Sequence, residues 1–140
     1  MFKIFIDGQN GTTGLQIKDR LTERDDMELI ELSDAERKTD AAKKAALGAA
    51  DVAILCLPDD AARQTAQLAT KTRLIDASTA HRTHPDWTYG LPELCPEQRR
   101  KIQTAERVSN PGCYPTGFIL LIRPLIALGL LKPDHAIFVS

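Results

Sequence analysis

A doubly wound, parallel α/β sheet is the fold predicted by three observations. Strand-like and helix-like patterns alternate along the chain. The strand-like runs are almost wholly apolar. The 140 residues, 43% apolar and 26% charged, suffice for a real core. Strands covered on both faces read as continuous apolar runs, and such strands separated by helices build a parallel sheet. A chain of this size removes about two-thirds of its unfolded surface from water.

Phe2 to Ile6 is the first strand, ended by Asp7-Gly8. Gly14, Ile17 and Leu21 then share one face of a helix expected over Gly14 to Arg24. Met27 to Leu32 is the second strand, and Asp40 is expected to cap a helix running through Leu47. Val52 to Leu57 reads as a strand covered on both sides, with Cys56 as an inert core thiol within it. Pro58-Asp59-Asp60 opens a helix through about Lys71, and Leu74 to Asp76 ends another strand. Regularity stops at a polar loop, Ala77 to Pro92, ordered by Trp87 and Tyr89. A helix near Pro96 to Ile102, a strand near Arg107 to Ser109 and a helix from about Pro115 to Leu128 follow. Gly129 suits the left-handed stop of that helix. Ala136 to Ser140 reads as a strand just beginning, so the chain is expected to be truncated.

Eighteen basic residues face nineteen acidic ones, for a net charge of −1. That balance leaves no global positive field to hold nucleic acid or an anionic membrane, and neither partner is expected. The apolar stretch Phe118 to Leu131 is interrupted by Arg123, Pro124 and Gly129, too broken for a membrane span. The N-terminus lacks the apolar region and cleavage site of a signal peptide. Cys56, Cys95 and Cys113 form no CxxC pair, so neither a disulfide framework nor a metal site is indicated, and a reducing cytoplasm is the expected location.

Three segments carry chemistry. Gly8-Gln9-Asn10-Gly11-Thr12-Thr13-Gly14 joins the first strand to the first helix, where glycines let backbone N–H groups approach a pyrophosphate. In that strand–turn–helix context the loop predicts a Rossmann-like dinucleotide-binding domain. Ser33-Asp34-Ala35-Glu36-Arg37-Lys38 follows the second strand, where the adenosine ribose reaches. Ser33 and Arg37 there favour the 2′-phosphate of NADP, whereas Glu36 and Lys38 read as a solvated turn. The third segment runs from Ser109 to Gly117. Pro111-Gly112 forces a sharp turn, so Cys113 stands at or just before a helix N-terminus, where the dipole favours a thiolate. A dinucleotide loop with an activated cysteine points to hydride transfer through a covalent thioester. Cys95, between Leu94 and Pro96, reads as a surface or packing residue.

Asn110-Pro111-Gly112-Cys113-Tyr114-Pro115-Thr116, Tyr89-Gly90-Leu91-Pro92-Glu93-Leu94 and Ile75-Asp76-Ala77-Ser78-Thr79-Ala80-His81-Arg82 resemble segments of the N-acetyl-γ-glutamyl-phosphate reductases, short-branch type. These are relatives of the aspartate-semialdehyde dehydrogenases, and the resemblance spans the whole chain. It implies that Cys113 attacks the acyl phosphate of N-acetyl-γ-glutamyl phosphate. NADPH then reduces the thioester to N-acetylglutamate semialdehyde, in arginine biosynthesis. It further implies that Gly8, Gly11, Thr12, Thr13 and Gly14, with Ser33, Arg37 and Ser78, hold NADP(H). Arg82 and Asn110 then meet the small-molecule acyl-phosphate substrate.

Residues 1–108 are accordingly the dinucleotide-binding domain. Residues 109–140 carry the cysteine loop, helix and first strand of a truncated α+β catalytic domain. The family's acid–base histidine belongs to that second domain, so the chain alone is expected to bind cofactor without turning over well. The full-length protein is expected to be a homo-oligomer. His81 and His84 are read as turn or substrate-proximal residues and His135 as a strand-edge residue. The alternatives are a non-catalytic dinucleotide-binding module, in which Cys113 is merely oxidisable, and an aspartate-semialdehyde dehydrogenase-like reductase.

Overall fold

The alternating pattern folds, in a computed structural model that describes residues 1–138, into β1 (Phe2–Asp7), α1 (Thr12–Thr22), β2 (Met27–Ile30), α2 (Asp40–Ala49), β3 (Val52–Leu55), α3 (Asp59–Leu68), β4 (Arg73–Asp76), β5 (Thr88–Tyr89), α4 (Gln98–Thr104), β6 (Arg107–Ser109) and α5 (Cys113–Ala127). Short 3-10 turns occupy Glu36–Lys38 and Pro92–Leu94. The strands form one parallel sheet in the order β2-β1-β3-β4-β6-β5. This is the doubly wound, Rossmann-like architecture expected from the alternation.

Two reversals in that order position everything that follows. After β1 the chain goes to β2 on one side and returns to β3 on the other, so the loops leaving the carboxyl ends of β1 and β3 diverge and leave a crevice. After β4 it runs out to the edge as β5 and comes back as β6 between them. The Asn110 N–H then donates to the Asp76 carbonyl at 2.7 Å, and the Gly90 N–H to the Ser109 carbonyl at 2.8 Å. Both reversals bring loops to the same carboxyl edge of the sheet.

The core lies between the sheet and α2 and α3. Phe5, Leu47, Leu55 and Leu74 are essentially removed from water there, each burial worth roughly 1.5–3 kcal/mol. Trp87 packs into the same cluster, which gives the loop after β4 its order. The opposite face differs from expectation. β3 and β4 alternate half-buried and buried residues, so Val52, Ile54 and Ile75 are only partly covered. The apolar run reads as two-sided burial because Cβ alternation cannot say how well the second face is roofed.

Several boundaries move for local reasons. α1 begins at Thr12, two residues before Gly14, since Gly11 already has extended dihedrals and acts as its N-cap. Thr39 caps α2, its Oγ1 accepting from the Ala42 N–H at 3.4 Å, and Asp40 is merely the first helical residue. Pro58 is itself the cap of α3, and that helix stops at Leu68. β2 ends at Ile30 and β3 at Leu55, so Cys56 lies at the carboxyl mouth of the strand and not in its middle. The loop after β4 contains β5, two residues long and too short to give a period. The helix expected near Pro96 is α4, two residues later. α5 begins at Cys113 itself, which leaves Pro115 in the first turn, where a missing N–H breaks no bond. Gly129 does adopt the left-handed stop, at φ 70°. Ala136 to Phe138 form no strand, and the remainder of that expectation lies outside the described residues.

α5 stands apart. None of its residues is buried; Leu121 is 67% exposed, and Leu128, just past its end, is 73% exposed. Among the described residues no helix is long and apolar enough to cross a membrane.

Candidate functional site

The first part of the site grows from the end of β1. Gly8 turns the chain at φ 91°, and a β-carbon there would strike the Cys56 carbonyl. One at Gly14 would strike the Gly8 carbonyl, so the first turn of α1 sits directly on the loop. The Gly11 N–H donates to the Gly8 carbonyl at 3.1 Å, closing the turn. Gly11 caps α1 with no side chain, and no acidic residue occupies the first turn. The N–H groups of Thr12, Thr13 and Gly14 therefore point outward with the helix dipole behind them, a ready anion cradle. They border a crevice of about 300 Å³ lined by Gly11, Thr12, Thr13, Cys56, Leu57 and Ala77. The carboxylate beneath the loop, Asp7, is buried and compensated by the Thr65 hydroxyl at 2.9 Å and the Lys43 ammonium at 3.1 Å. The cradle thus fits a dinucleotide: Gly8 and Gly14 let the loop and the first turn of α1 pack tightly enough to form it, and the leading N–H groups meet no side-chain acceptor.

Ser33 and Arg37 are both engaged locally. The Ser33 hydroxyl and N–H donate to the Glu36 carboxylate at 2.6 and 2.8 Å, and these bonds hold Glu36 below the usual carboxylate range. Glu36 is therefore a local anchor and not simply a solvated turn residue. Arg37 pairs with Asp34 while its buried Nε has no partner. An additional acceptor for that guanidinium is what a ribose-bound phosphate would provide.

The second part grows from β4. Asp76 is fully buried and accepts from the Ser78 N–H at 3.0 Å, the Ser78 hydroxyl at 2.6 Å and His81 Nδ1 at 2.6 Å. His81 stacks on Trp87 with ring centres 4.0 Å apart. The chain around His81 predicts a turn or substrate-proximal residue, not this hub. The only prior signal was Asp76 two residues before Ser78 at a strand end, a spacing that lets a carboxylate tie down the turn. Ser78 faces inward, and Ala77, not Ser78, lines the crevice. Thr79 is fastened to Asp59 at the start of α3 by its N–H at 3.0 Å and its hydroxyl at 2.6 Å.

With residues 76–81 fixed, Arg82 is aimed at the start of α5. Its Nε donates to the Asn110 carbonyl at 3.3 Å and its Nη2 to the Ala77 carbonyl at 3.4 Å. A β-carbon on Gly112 would come within 2.5 Å of Arg82 Nη1. The structure so gathers Arg82, Asn110 and Cys113 around Gly112. Cys113 is exposed as the first residue of α5, behind a glycine cap with no side-chain acceptor and no acid in its first turn. Arg82, Thr83, Tyr89, Leu94, Pro115 and Ile119 border a largely apolar pocket of about 480 Å³ beside it. Tyr89 and Leu94 came with the motif, but their convergence on Ile119 was not readable from the chain.

The other thiols differ in kind. Burial first, then the charges of Asp76 and Asp7, push Cys56 up to about 11. Cys95 is half-buried and donates to Gln98 Oε1 at 3.7 Å.

A family profile described as semialdehyde dehydrogenase, NAD binding domain, matches residues 3–102. The chain is 55% identical over 141 aligned positions to the N-acetyl-gamma-glutamyl-phosphate reductases of Brucella ovis and Brucella canis, covering 99% of this chain and 46% of each relative. It therefore spans less than half the length of these curated relatives. Among solved structures it is similar to aspartate semialdehyde dehydrogenase from Francisella tularensis, with a TM-score of 0.63 and 18% identity over 92% of this chain and 42% of that one. The enzyme from Candida albicans, solved with NADP, gives a TM-score of 0.62 and 12% identity over 91% of this chain and 47% of that one. The structural likenesses bear on the fold alone. The profile names the cofactor class as a nicotinamide dinucleotide, in agreement with the glycine cradle. The chain belongs to the semialdehyde dehydrogenase family, whose NAD-binding domain it carries.

Proposed function

We propose that this chain supplies the cofactor cleft and the nucleophile of an NADPH-dependent N-acetyl-γ-glutamyl-phosphate reductase. The observation that carries the proposal is Cys113, exposed at the uncapped start of α5, with the Arg82 guanidinium packed against the adjoining Gly112. The identity to reductases of that name supports the choice of substrate.

Cys113 Sγ attacks the acyl carbon, the bond to the phosphate oxygen breaks, and inorganic phosphate leaves a thioester behind. Arg82 offers two N–H groups to the departing phosphate or to a substrate carboxylate. The unpaired N–H groups of the first turn of α5 face the charge that develops on the acyl oxygen. Bound NADPH would supply hydride for the thioester carbon. The C–S bond then breaks, and the aldehyde leaves with Cys113 regenerated. Gly8, Gly11, Thr12, Thr13 and Gly14 would hold the pyrophosphate, and Ser33 and Arg37 the 2′-phosphate, with Ser78 shaping the loop beside the crevice through Asp76.

The same reading divides the chain at residue 108. Residues 1–108 are the dinucleotide-binding domain and residues 109–140 open the catalytic one. In support, α1, α2, α3 and α4 each bury at least one residue, whereas α5 buries none.

In the protein at the length of its relatives, Cys113→Ser should lower kcat by about 10⁴-fold or more while leaving dinucleotide binding intact. Retained turnover would overturn the nucleophile assignment. Iodoacetamide should modify Cys113 faster than Cys56 or Cys95 in the folded protein, and equal rates would speak for the non-catalytic module. Calorimetry should find NADP(H) bound more tightly than NAD(H), with the preference lost in Arg37→Gln. The reverse order would change the cofactor.

A further inference from the structure

Away from the glycine crevice, a cavity of about 390 Å³ opens between α3, the loop after β4 and the start of β6. It is bordered by Arg63, Gln67, His81, His84, Trp87 and Arg107, with Asp86 on its rim. It shares no lining residue with the crevice or with the pocket beside Arg82. We infer that this cavity binds a small phosphoryl oxyanion.

Donors converge on it from separate segments. Arg107 holds its Cζ 5.7 Å from the Trp87 ring centre, and among the described residues no carboxylate pairs with it. Arg63 enters from α3. It touches Asp60 at 2.9 Å and Asp59 at 4.0 Å, but the Asp60 carboxylate is 94% exposed, and such a surface pair is weak and exchanges readily. His84 Nδ1 accepts from the Asp86 N–H at 3.2 Å, so its Nε2 carries the proton and donates. The Asp86 carboxylate, 4.0 Å from the same nitrogen, faces solvent.

His81 supplies an independent pointer. Its side chain is 6% exposed, and Nδ1 is committed to the buried Asp76. Its Nε2 has no protein partner among the described residues, although the ring borders the cavity. That nitrogen opens to the cavity and is free to accept from a ligand held there. A single guanidinium fork satisfies a planar carboxylate. A tetrahedral phosphoryl group has oxygens enough for Arg63, Arg107 and His84 together, and a monoprotonated phosphate has an O–H for His81 Nε2.

The cavity carries its own reporter, because Trp87 is the only tryptophan. Inorganic phosphate, titrated into the whole chain at constant ionic strength, should change Trp87 emission saturably. Arg63→Gln, an exposed position whose thermal unfolding verifies folding, should weaken the apparent affinity by about tenfold. Arg107→Gln should do the same, and if it fails to fold, Arg63→Gln decides alone. Arg82→Gln should change nothing. Glycerol 3-phosphate in parallel separates the ligand's sources: tighter binding marks a phosphate ester, weaker binding free phosphate, and either supports the site. An emission change that is absent or never saturates overturns the inference. So does binding weakened by Arg82→Gln but not by Arg63→Gln. That last result would move the phosphate to Cys113 and strengthen the proposed reaction.

Discussion

α1 and α5 begin in one way, and α2 and α3 in another. Thr39 caps α2 through its hydroxyl, and Asp40 sits in its first turn. α3 starts with Asp59 and Asp60, and Thr79, through its hydroxyl first, holds Asp59 below the usual carboxylate range. Their positive ends are quenched from within. α1 and α5 have glycine caps, no side-chain acceptor and no acid in the first turn. Their leading N–H groups are left to whatever anion arrives. One of these open starts lies on the glycine crevice and the other carries Cys113. Under the proposed function, caps withheld matter as much as residues supplied.

The harshest break to that contrast is Gly8→Ala. The residue would have to keep φ at 91° and its methyl would meet the Cys56 carbonyl. We expect a loss of about 3 kcal/mol in urea unfolding, together with loss of dinucleotide affinity. Wild-type stability in this variant would mean that the turn relaxes freely and that the cradle is not held by its backbone. Thr39→Ala tests the quenched class. It should destabilise by about 1 kcal/mol, the usual worth of a cap, and leave dinucleotide affinity unchanged. A fall in affinity would show the two kinds of helix start to be coupled.

Gly48→Ala acts in the other direction. It lies in α2, exposed, with nothing within 4 Å of the added carbon. Alanine there should stabilise by about 0.5–1 kcal/mol. A loss would mean that Gly48 meets something in solution that the folded chain does not contain, which would sharpen the difference between glycines kept for shape and glycines kept for packing.

Sequence sufficed where the cause is local. The apolar runs, the glycine turn, the left-handed Gly129 and the position of Cys113 each follow from a few neighbouring residues. It failed where the cause is distant or merely permissive. Asp76 looks like any acid at a strand end until Ser78 and His81 fold back on it. Asp40 looks like the better cap, but Thr39 has the extended dihedrals that a cap requires. The apolar neighbours before Cys56 predict a core thiol, although its N–H already belongs to the mouth of β3 through the Asp7 carbonyl. Arg63 and Arg107 meet across the Trp87 cavity from different elements, and no spacing announces that.

The smallest effect vanishes at neutral pH. Cys56 borders the same crevice as the open start of α1, yet its surroundings oppose negative charge. Burial, and after it the carboxylates of Asp76 and Asp7, raise it from an ordinary 9.0 to about 11. Below about pH 9 both folded and unfolded chains keep the thiol neutral, and its contribution to stability is fully present. Between about 9 and 11 the unfolded chain releases the proton while the folded chain retains it, so stability falls with rising pH and then levels off. The half-exposed site screens this fall, which should be modest. Cys56→Ala should flatten that part of the alkaline slope in urea midpoints, and parallel slopes in the two proteins would refute the opposing field. The crevice then has two sides: backbone donors at Thr12 and Thr13 are open to an anion, while burial, and after it the carboxylates behind Cys56, deny the thiol its own.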